Sequence, residues 1–232
     1  MHILNKEFDK VVCINLVERK DKKEKMQERF DRLGIKVEWY HPVKFGFAKK
    51  CITAIHKEGI GKFNSNQPNE LGASLSHYTV IKSALLEGAE RLFVFEDDIL
   101  FHENFNIKFE KAYKSLPSDW DFISLYSFMY NIYLLDNVKI NPYWMKMKYS
   151  WSLTSYGINK KYMDIYIKKQ DEFLEIADMV TVKLQEDKNL KQYVTAPTLV
   201  IPDVDSKSDI RKFMNYKSKI TALNLGVKNN YY

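Results

Sequence analysis

Three consecutive acids, Glu96-Asp97-Asp98, follow the apolar run at 91–95 (RLFVF) and precede a second apolar stretch, ILF. Adjacent carboxylates repel, and the repulsion is costly unless water or a cation relieves it. At the carboxyl end of a parallel strand such acids lie where α/β folds bind ligands. Hard cations such as Mg²⁺ or Mn²⁺ take oxygen ligands, commonly one or two carboxylates plus ligand phosphates. Alone, the cluster fits equally a solvated strand-end turn or a metal site, and a magnesium-dependent phosphoryl-transfer site is a further alternative. Other groups join it as candidates. Glu70, Ser74 and His77 in ELGASLSH are spaced about one helical turn apart and share a face. Asn15 and Arg19 in INLVER follow another apolar run, and a guanidinium fork matches phosphate oxygens. Asp178, in ADMVT, has the chemistry of a general base and equally that of a helix cap.

These groups need elements to hold them. Residues 11–16 (VVCINL) form a nearly continuous apolar run, as in a buried parallel strand. Asp21 is placed to cap a helix whose Met26, Phe30 and Leu33 share one face and which Gly34 ends. Residues 35–40 alternate as a second strand, completing a βαβ unit. Residues 45–68 read as a long loop. Asn69 is placed to cap a helix buried through Leu71, Leu75, Tyr78, Ile81 and Leu85 and stopped near Gly88. Strand 91–95 is followed by a helix with Phe105, Phe109, Tyr113 and Leu116 on its face. Further strands are expected at 121–126, 153–158 and 198–201. Asn159 is placed to cap a helix carrying Tyr162 and Ile165, and a short helix covers 178–184. Residues 130–148 read as a hairpin or irregular excursion.

The 232 residues suit one sizeable α/β domain. With 45% hydrophobic and 28% charged residues the chain is a folding sequence, not a disordered one. We expect a single domain over 1–232 with a basic, mobile tail or lid from about 203. The opening MHILNKEFDK lacks signal-peptide character, and no apolar run nears the roughly 20 residues that span a bilayer. The expected location is therefore cytoplasmic, peripheral at an inner membrane or in a host cytoplasm. Cys13 and Cys51 form no CxxC pair, so both are expected as reduced thiols. The charge of +6 fits a solvated lysine-rich surface or attraction to a polyanion.

INLVER, ELGASLSH, LFVFEDDILF, LPSDWDFISL, WSLTSYGI, ADMVT and TLVIPDVDSKSDIR occur in one order over roughly 11–211. In this the chain resembles glycosyltransferase family 25, which includes bacterial lipooligosaccharide and collagen hydroxylysine galactosyltransferases. The resemblance implies a GT-A-like, Rossmann-like α/β fold with a mostly parallel sheet, a nucleotide-sugar donor (by expectation a UDP-sugar), an Mn²⁺ or Mg²⁺ ion and an inverting mechanism. Carried onto these residues, it makes Asp98 the metal ligand, supported by Asp97 or Glu96. It places Asn15, Arg19, Glu70, Ser76, His77, Glu96 and Asp97 at the donor. Asp178 takes the general-base position and Ser208 that of a late serine. Ala73 stands where family members often have cysteine, and the aspartate-aromatic signature near Asp178 reads here as DMV.

The acceptor expected from the resemblance is a lipooligosaccharide glycan. A different acceptor is a hydroxymethylated cytosine in DNA, as for a phage-type enzyme. Lysines and aromatics at 44–62 and 143–151 suit phosphate contact and base stacking, and base modification in a duplex requires flipping. A third class is an inactive carbohydrate- or nucleotide-binding module.

Overall fold

Apolar, β-branched runs pair as the sequence leads one to expect. In the computed structural model, which describes residues 1–42, 68–127, 139–148, 150–172, 175–203, 206 and 230–232, strand β1 (Lys10–Ile14) lies parallel to both β2 (Glu38–Tyr40) and β3 (Arg91–Glu96). Beyond β3 come β7 (Ser155–Asn159), β5 (Phe122–Ser124), β8 (Gln192–Thr195) and β6 (Trp144–Lys146), giving a seven-stranded sheet in the order β2-β1-β3-β7-β5-β8-β6. Strands β7 and β6 oppose the other five. The mostly parallel α/β sheet is the Rossmann-like, GT-A-type architecture. A second sheet pairs β4 (Ile99–Phe101) with β9 (Val200–Pro202).

Helices cover both faces. Helices α3 (Pro68–Leu86), α5 (Lys160–Glu172) and α6 (Ala177–Leu184) contribute Val80, Ile81, Tyr162, Tyr166 and Val180 to the core on one side. Helices α1 (Ile3–Glu7), α2 (Lys20–Leu33) and α4 (Phe105–Lys114) contribute Leu4, Met26, Phe30, Phe105 and Phe109 on the other. The strand period of two assigns Leu92 and Val94 to the first core and Phe93 and Phe95 to the second. Phe30, Phe95, Phe101 and Phe105 pack in edge-on or tilted pairs 4.9–5.8 Å between centroids. Such pairs add about 0.5–1.5 kcal/mol each beyond burial, which makes a stiff backing for the strand ends.

Several expectations need correction. Helix α2 starts at Lys20 with Arg19 at its cap, so Asp21 lies inside the first turn and its carboxylate pairs with Arg19 instead of capping. Helix α3 starts at Pro68, which puts Asn69 inside its first turn. The buried face of α3 carries Leu71, Ser74, His77, Ile81 and Ala84, while Leu75, Tyr78 and Leu85 are half-buried. Polar Ser74 and His77 are tolerated inside because α6 and β7 supply their partners. Residues 144–146, expected in a hairpin or irregular excursion, form the sheet edge and bridge back to Lys139 in antiparallel fashion. Gly34 ends α2 at φ 70°, and Asn159 caps α5 by accepting the Tyr162 N–H at 2.9 Å, both as expected.

The loop at 45–68 lies almost wholly outside the described residues, as do Cys51, Ser208 and most of the tail from 203. The described tail residues are anchored. The Asp203 N–H donates to the Asp98 carbonyl at 2.7 Å, its carboxylate accepts from Arg29 at 2.9 Å, and Tyr232 pairs with Phe101 through two backbone bonds. Cys13 is a buried free thiol, pushed well up by burial and then by the Asp97 and Asp98 charges. Among the described residues no helix is long and apolar enough to cross a membrane.

Candidate active site

The register Ile14↔Glu96 sets the ends of β1 and β3 level, so Asn15 and Asp97 meet just beyond the sheet. The Asn15 Nδ2 donates to Asp97 Oδ2 at 2.7 Å and to the Arg19 carbonyl at 3.1 Å. Two acceptors fix the amide this way round, since a flip would set oxygen against oxygen. The Asn15 Oδ1 is then buried with no partner among the described residues. A buried acceptor left unmade costs about 1–3 kcal/mol, so its presence here points to a ligand donor or cation.

Lys22 is the residue that sequence reasoning missed. Its ammonium, on a side chain only 4% exposed, donates to Asp97 Oδ1 at 3.1 Å and to Asp98 Oδ2 at 3.0 Å. In KDKKEK it looks like any solvated lysine. The signal was its helical phase, since Lys22, Met26 and Phe30 fall at i, i+4 and i+8 and all are buried on α2. Burial still dominates the carboxylates. It raises Asp97 against the opposing pull of Lys22 and Asn15, and it pushes Asp98 up to about 6, with Glu96 and Asp97 adding to the rise and Lys22 opposing it. Among the described residues, the site holds more negative charge than the buried Lys22 ammonium comfortably neutralises.

The acidic triplet does not act as one group. Asp97 turns to the α2 side, whereas Glu96 turns to the α3 side, where its Oε1 lies 3.4 Å from His77 Nε2. His77 Nδ1 is 3.0 Å from the Tyr156 hydroxyl. Both His77 nitrogens are thus engaged by protein, and the ring is an internal strut. Among the described residues no three or more His, Cys, Asp or Glu side chains gather as a cation site. What the α2 side offers is the Asp97 and Asp98 carboxylates with the orphan Asn15 Oδ1, a hard oxygen set that fits Mg²⁺ or Mn²⁺ completed by ligand phosphates.

The remaining candidates divide between the two sides. Arg19 forms a forked ion pair with Asp21, both contacts 3.0 Å, which holds Asp21 down at about 2. Glu70 stands half-buried in the first turn of α3. Ser76 donates to the Gly72 carbonyl of its own helix at 2.6 Å. Ser74 does more, since its hydroxyl accepts the Ala177 N–H at 2.8 Å and so caps α6 across the chain. Asp178 is in the first turn of α6, where the helix dipole favours a carboxylate, and its charge is felt at Tyr156 and Tyr166.

Comparison with known proteins identifies the family. Residues 8–223 match the family described as glycosyltransferase family 25 (LPS biosynthesis protein). Human procollagen galactosyltransferase 2 is 30% identical over 127 residues, covering 50% of this chain and 20% of the relative. The procollagen lysyl hydroxylase and glycosyltransferase of Acanthamoeba polyphaga mimivirus is 26% identical over 197 residues, 73% of this chain and 21% of the relative. The human inactive glycosyltransferase 25 family member 3 is 28% identical over 130 residues, 51% of this chain and 22% of the relative. The chain thus spans about a fifth of the length of these curated relatives. With the family match running over most of its length, the chain belongs to glycosyltransferase family 25.

Proposed function

We propose that the chain is a metal-dependent, inverting glycosyltransferase that moves a sugar from a UDP-sugar to a hydroxyl of a lipopolysaccharide-type glycan. The observation that carries this is the paired Asp97 and Asp98 with the orphan Asn15 Oδ1 at the carboxyl ends of β3 and β1. The donor class follows from the family and the glycan acceptor from its description. The procollagen relatives favour a hydroxyl acceptor of some kind without choosing among kinds.

Asp98, with Asp97 and the Asn15 oxygen beside it, would hold Mn²⁺ or Mg²⁺, which when bound offsets charge growing on the leaving diphosphate. The protein's own groups do the rest. Asn15 and Lys22 fix the two carboxylates before the donor arrives, so little reorganisation remains at the moment of reaction. The acceptor oxygen forms its bond to the anomeric carbon from the face opposite the leaving group, and the bond from that carbon to the diphosphate oxygen breaks. Asp178, held by the capped α6, takes the hydroxyl proton.

The test is a screen of nucleotide sugars for Mn²⁺-dependent release of the nucleoside diphosphate, repeated with Asp98→Asn. Release by the wild type and a loss of at least a hundredfold in a folded Asp98→Asn protein are expected. Full activity in that variant would sink the assignment. One relative is named inactive, which gives a second reading, a nucleotide-binding module without turnover. Tight nucleotide binding with no release from any donor would favour it.

A further inference from the structure

Antiparallel pairing alternates in the small β4–β9 sheet, and the alternation decides which backbone groups are left over. Just beyond the register Ile99↔Pro202, the Asp203 N–H donates to the Asp98 carbonyl at 2.7 Å. The Ile99–Pro202 pair is then of the kind without ladder bonds, which is where a proline lacking an N–H is tolerated. The Ile99 carbonyl therefore points away from β9, as does the backbone of Phe101, which pairs with Tyr232. At Ile99 the partner is a side chain. Arg29 Nη1 donates to the Ile99 carbonyl at 2.9 Å, and Nη2 donates to Asp203 Oδ2 at 2.9 Å. This ion pair is well enclosed, with Arg29 15% and Asp203 11% exposed. One guanidinium thus ties β4 to the residue that holds the Asp98 carbonyl. Lys22 and Arg29 stand about two turns apart on α2, so the same helix braces Asp98 twice. Lys22 meets its carboxylate, and Arg29 secures its backbone through Asp203.

We propose that Arg29 and Asp203 are positioning residues for cation binding, which lock the Asp98 backbone so that its carboxylate keeps its direction when a divalent cation competes with Lys22 for it. This rests on the reading of Asp98 as a cation ligand and adds the device that aims it. Ammonium and cation draw on the same carboxylate charge, so the side-chain brace weakens as the site fills. The backbone brace uses the carbonyl and is untouched by that competition. By reciprocity, a cation on Asp98 secures the Asp203 N–H in turn and ties the end of β9 to the loaded state. Plain electrostatics predicts the opposite sign. Removing a positive charge near a cation site strengthens cation binding, whereas removing a group that orients a ligand weakens it, typically by tenfold or more.

The experiment titrates Mn²⁺ alone into the full chain and follows free Mn²⁺ by electron paramagnetic resonance, for wild type, Arg29→Met, Arg29→Lys and Lys25→Met. Arg29→Met is expected to weaken Mn²⁺ binding about tenfold. Lys25→Met removes an exposed charge from the same helix and should leave affinity within about twofold or tighten it. Arg29→Lys keeps the charge without the fork that spans Ile99 and Asp203, so a severalfold loss is expected. In wild type Mn²⁺ should slow hydrogen exchange of the Asp203 amide, and Arg29→Met should lose that protection. Unchanged or tighter Mn²⁺ binding in a folded Arg29→Met protein would overturn the proposal. A lower urea midpoint with unaltered affinity would likewise reduce Arg29 to a structural ion pair. If Arg29→Met fails to fold, Arg29→Lys decides, and wild-type affinity and protection in that variant would overturn the positioning role. A wild type that takes up no Mn²⁺ defeats the cation reading of Asp98 itself, an outcome distinct from a wild type that binds it beside an indifferent Arg29→Met.

Discussion

The two sides of the β3 end are built on different physics. On the α2 side, Asp97 and Asp98 share one buried ammonium, and an amide oxygen is left unsatisfied. On the α3 side, Glu96, His77 and Tyr156 form a chain of hydrogen bonds, and Ser74 closes an end of α6. The first arrangement is strained without a ligand, because burial penalises charges that Lys22 only partly offsets. In the second, the His77 ring and the Ser74 hydroxyl find their partners within the protein. The difference teaches that the α2 side is prepared for a charged ligand, whereas the α3 side is a frame that sets directions. Stored strain of the first kind is a familiar feature of binding sites.

The sharpest way to break this comparison is Lys22→Met. Removing one partner of a buried ionic group leaves the carboxylates uncompensated, at an expected loss of about 3–5 kcal/mol in urea unfolding without metal. Adding Asp97→Asn should recover part of that loss, and Mn²⁺ should recover more in the single variant than in the double. If Lys22→Met costs no more than a surface lysine, the α2 side is not held as described.

A smaller effect is expected from pH. The folded-state value for Asp98 is raised to about 6, above its ordinary 3.8. A raised acid stabilises the fold fully below the unfolded value and loses that contribution as pH rises through the folded one. Metal-free wild type should therefore lose stability relative to Asp98→Asn between about pH 4 and pH 6. With the carboxylate partly exposed, a gap of about 1–2 kcal/mol is expected at pH 7.5 and almost none near pH 4. Denaturation curves of both proteins at the two pH values measure it, and a gap independent of pH would remove the strain argument.

On the frame side the effects are milder. Ser74→Ala deletes the cap of α6 and should cost about 1 kcal/mol, with turnover, for which Asp178 on that helix is the proposed base, slowed and nucleotide affinity unchanged. Equal loss of UDP binding would show that the two sides are not separable. Smallest of all, Ser76→Ala removes only a bond to the carbonyl one turn back and should change stability by less than about 0.5 kcal/mol and turnover by less than twofold. Its neighbour Ser74 sits two positions away on the same helix, so the contrast isolates the effect of facing α6.

Much of this was legible in the chain. The runs 11–16 and 91–95, the caps at Gly34 and Asn159, and the apolar face of α4 follow from local pattern, because backbone sterics and period-matched burial act over a few residues. The expected stripe on α3 is offset because apolarity alone does not mark its buried positions, which include Ser74 and His77, with partners 103 and 79 residues away. Lys22 is hidden in the same way, since its charge marks it as exposed while its phase with Met26 and Phe30 buries it.

Sequence by itself determined that three acids close a buried strand and that a family-25 motif order surrounds them, since residue types and short spacings suffice for both. Only the tertiary structure decided how those acids divide. The level ends of β1 and β3, the pleat between residues 96 and 97 and the burial of Lys22 on α2 set Asp97 and Asp98 against an ammonium and Glu96 against an imidazole. Such a division depends on which distant side chain stands opposite each carboxylate, and distance in space is not written in distance along the chain.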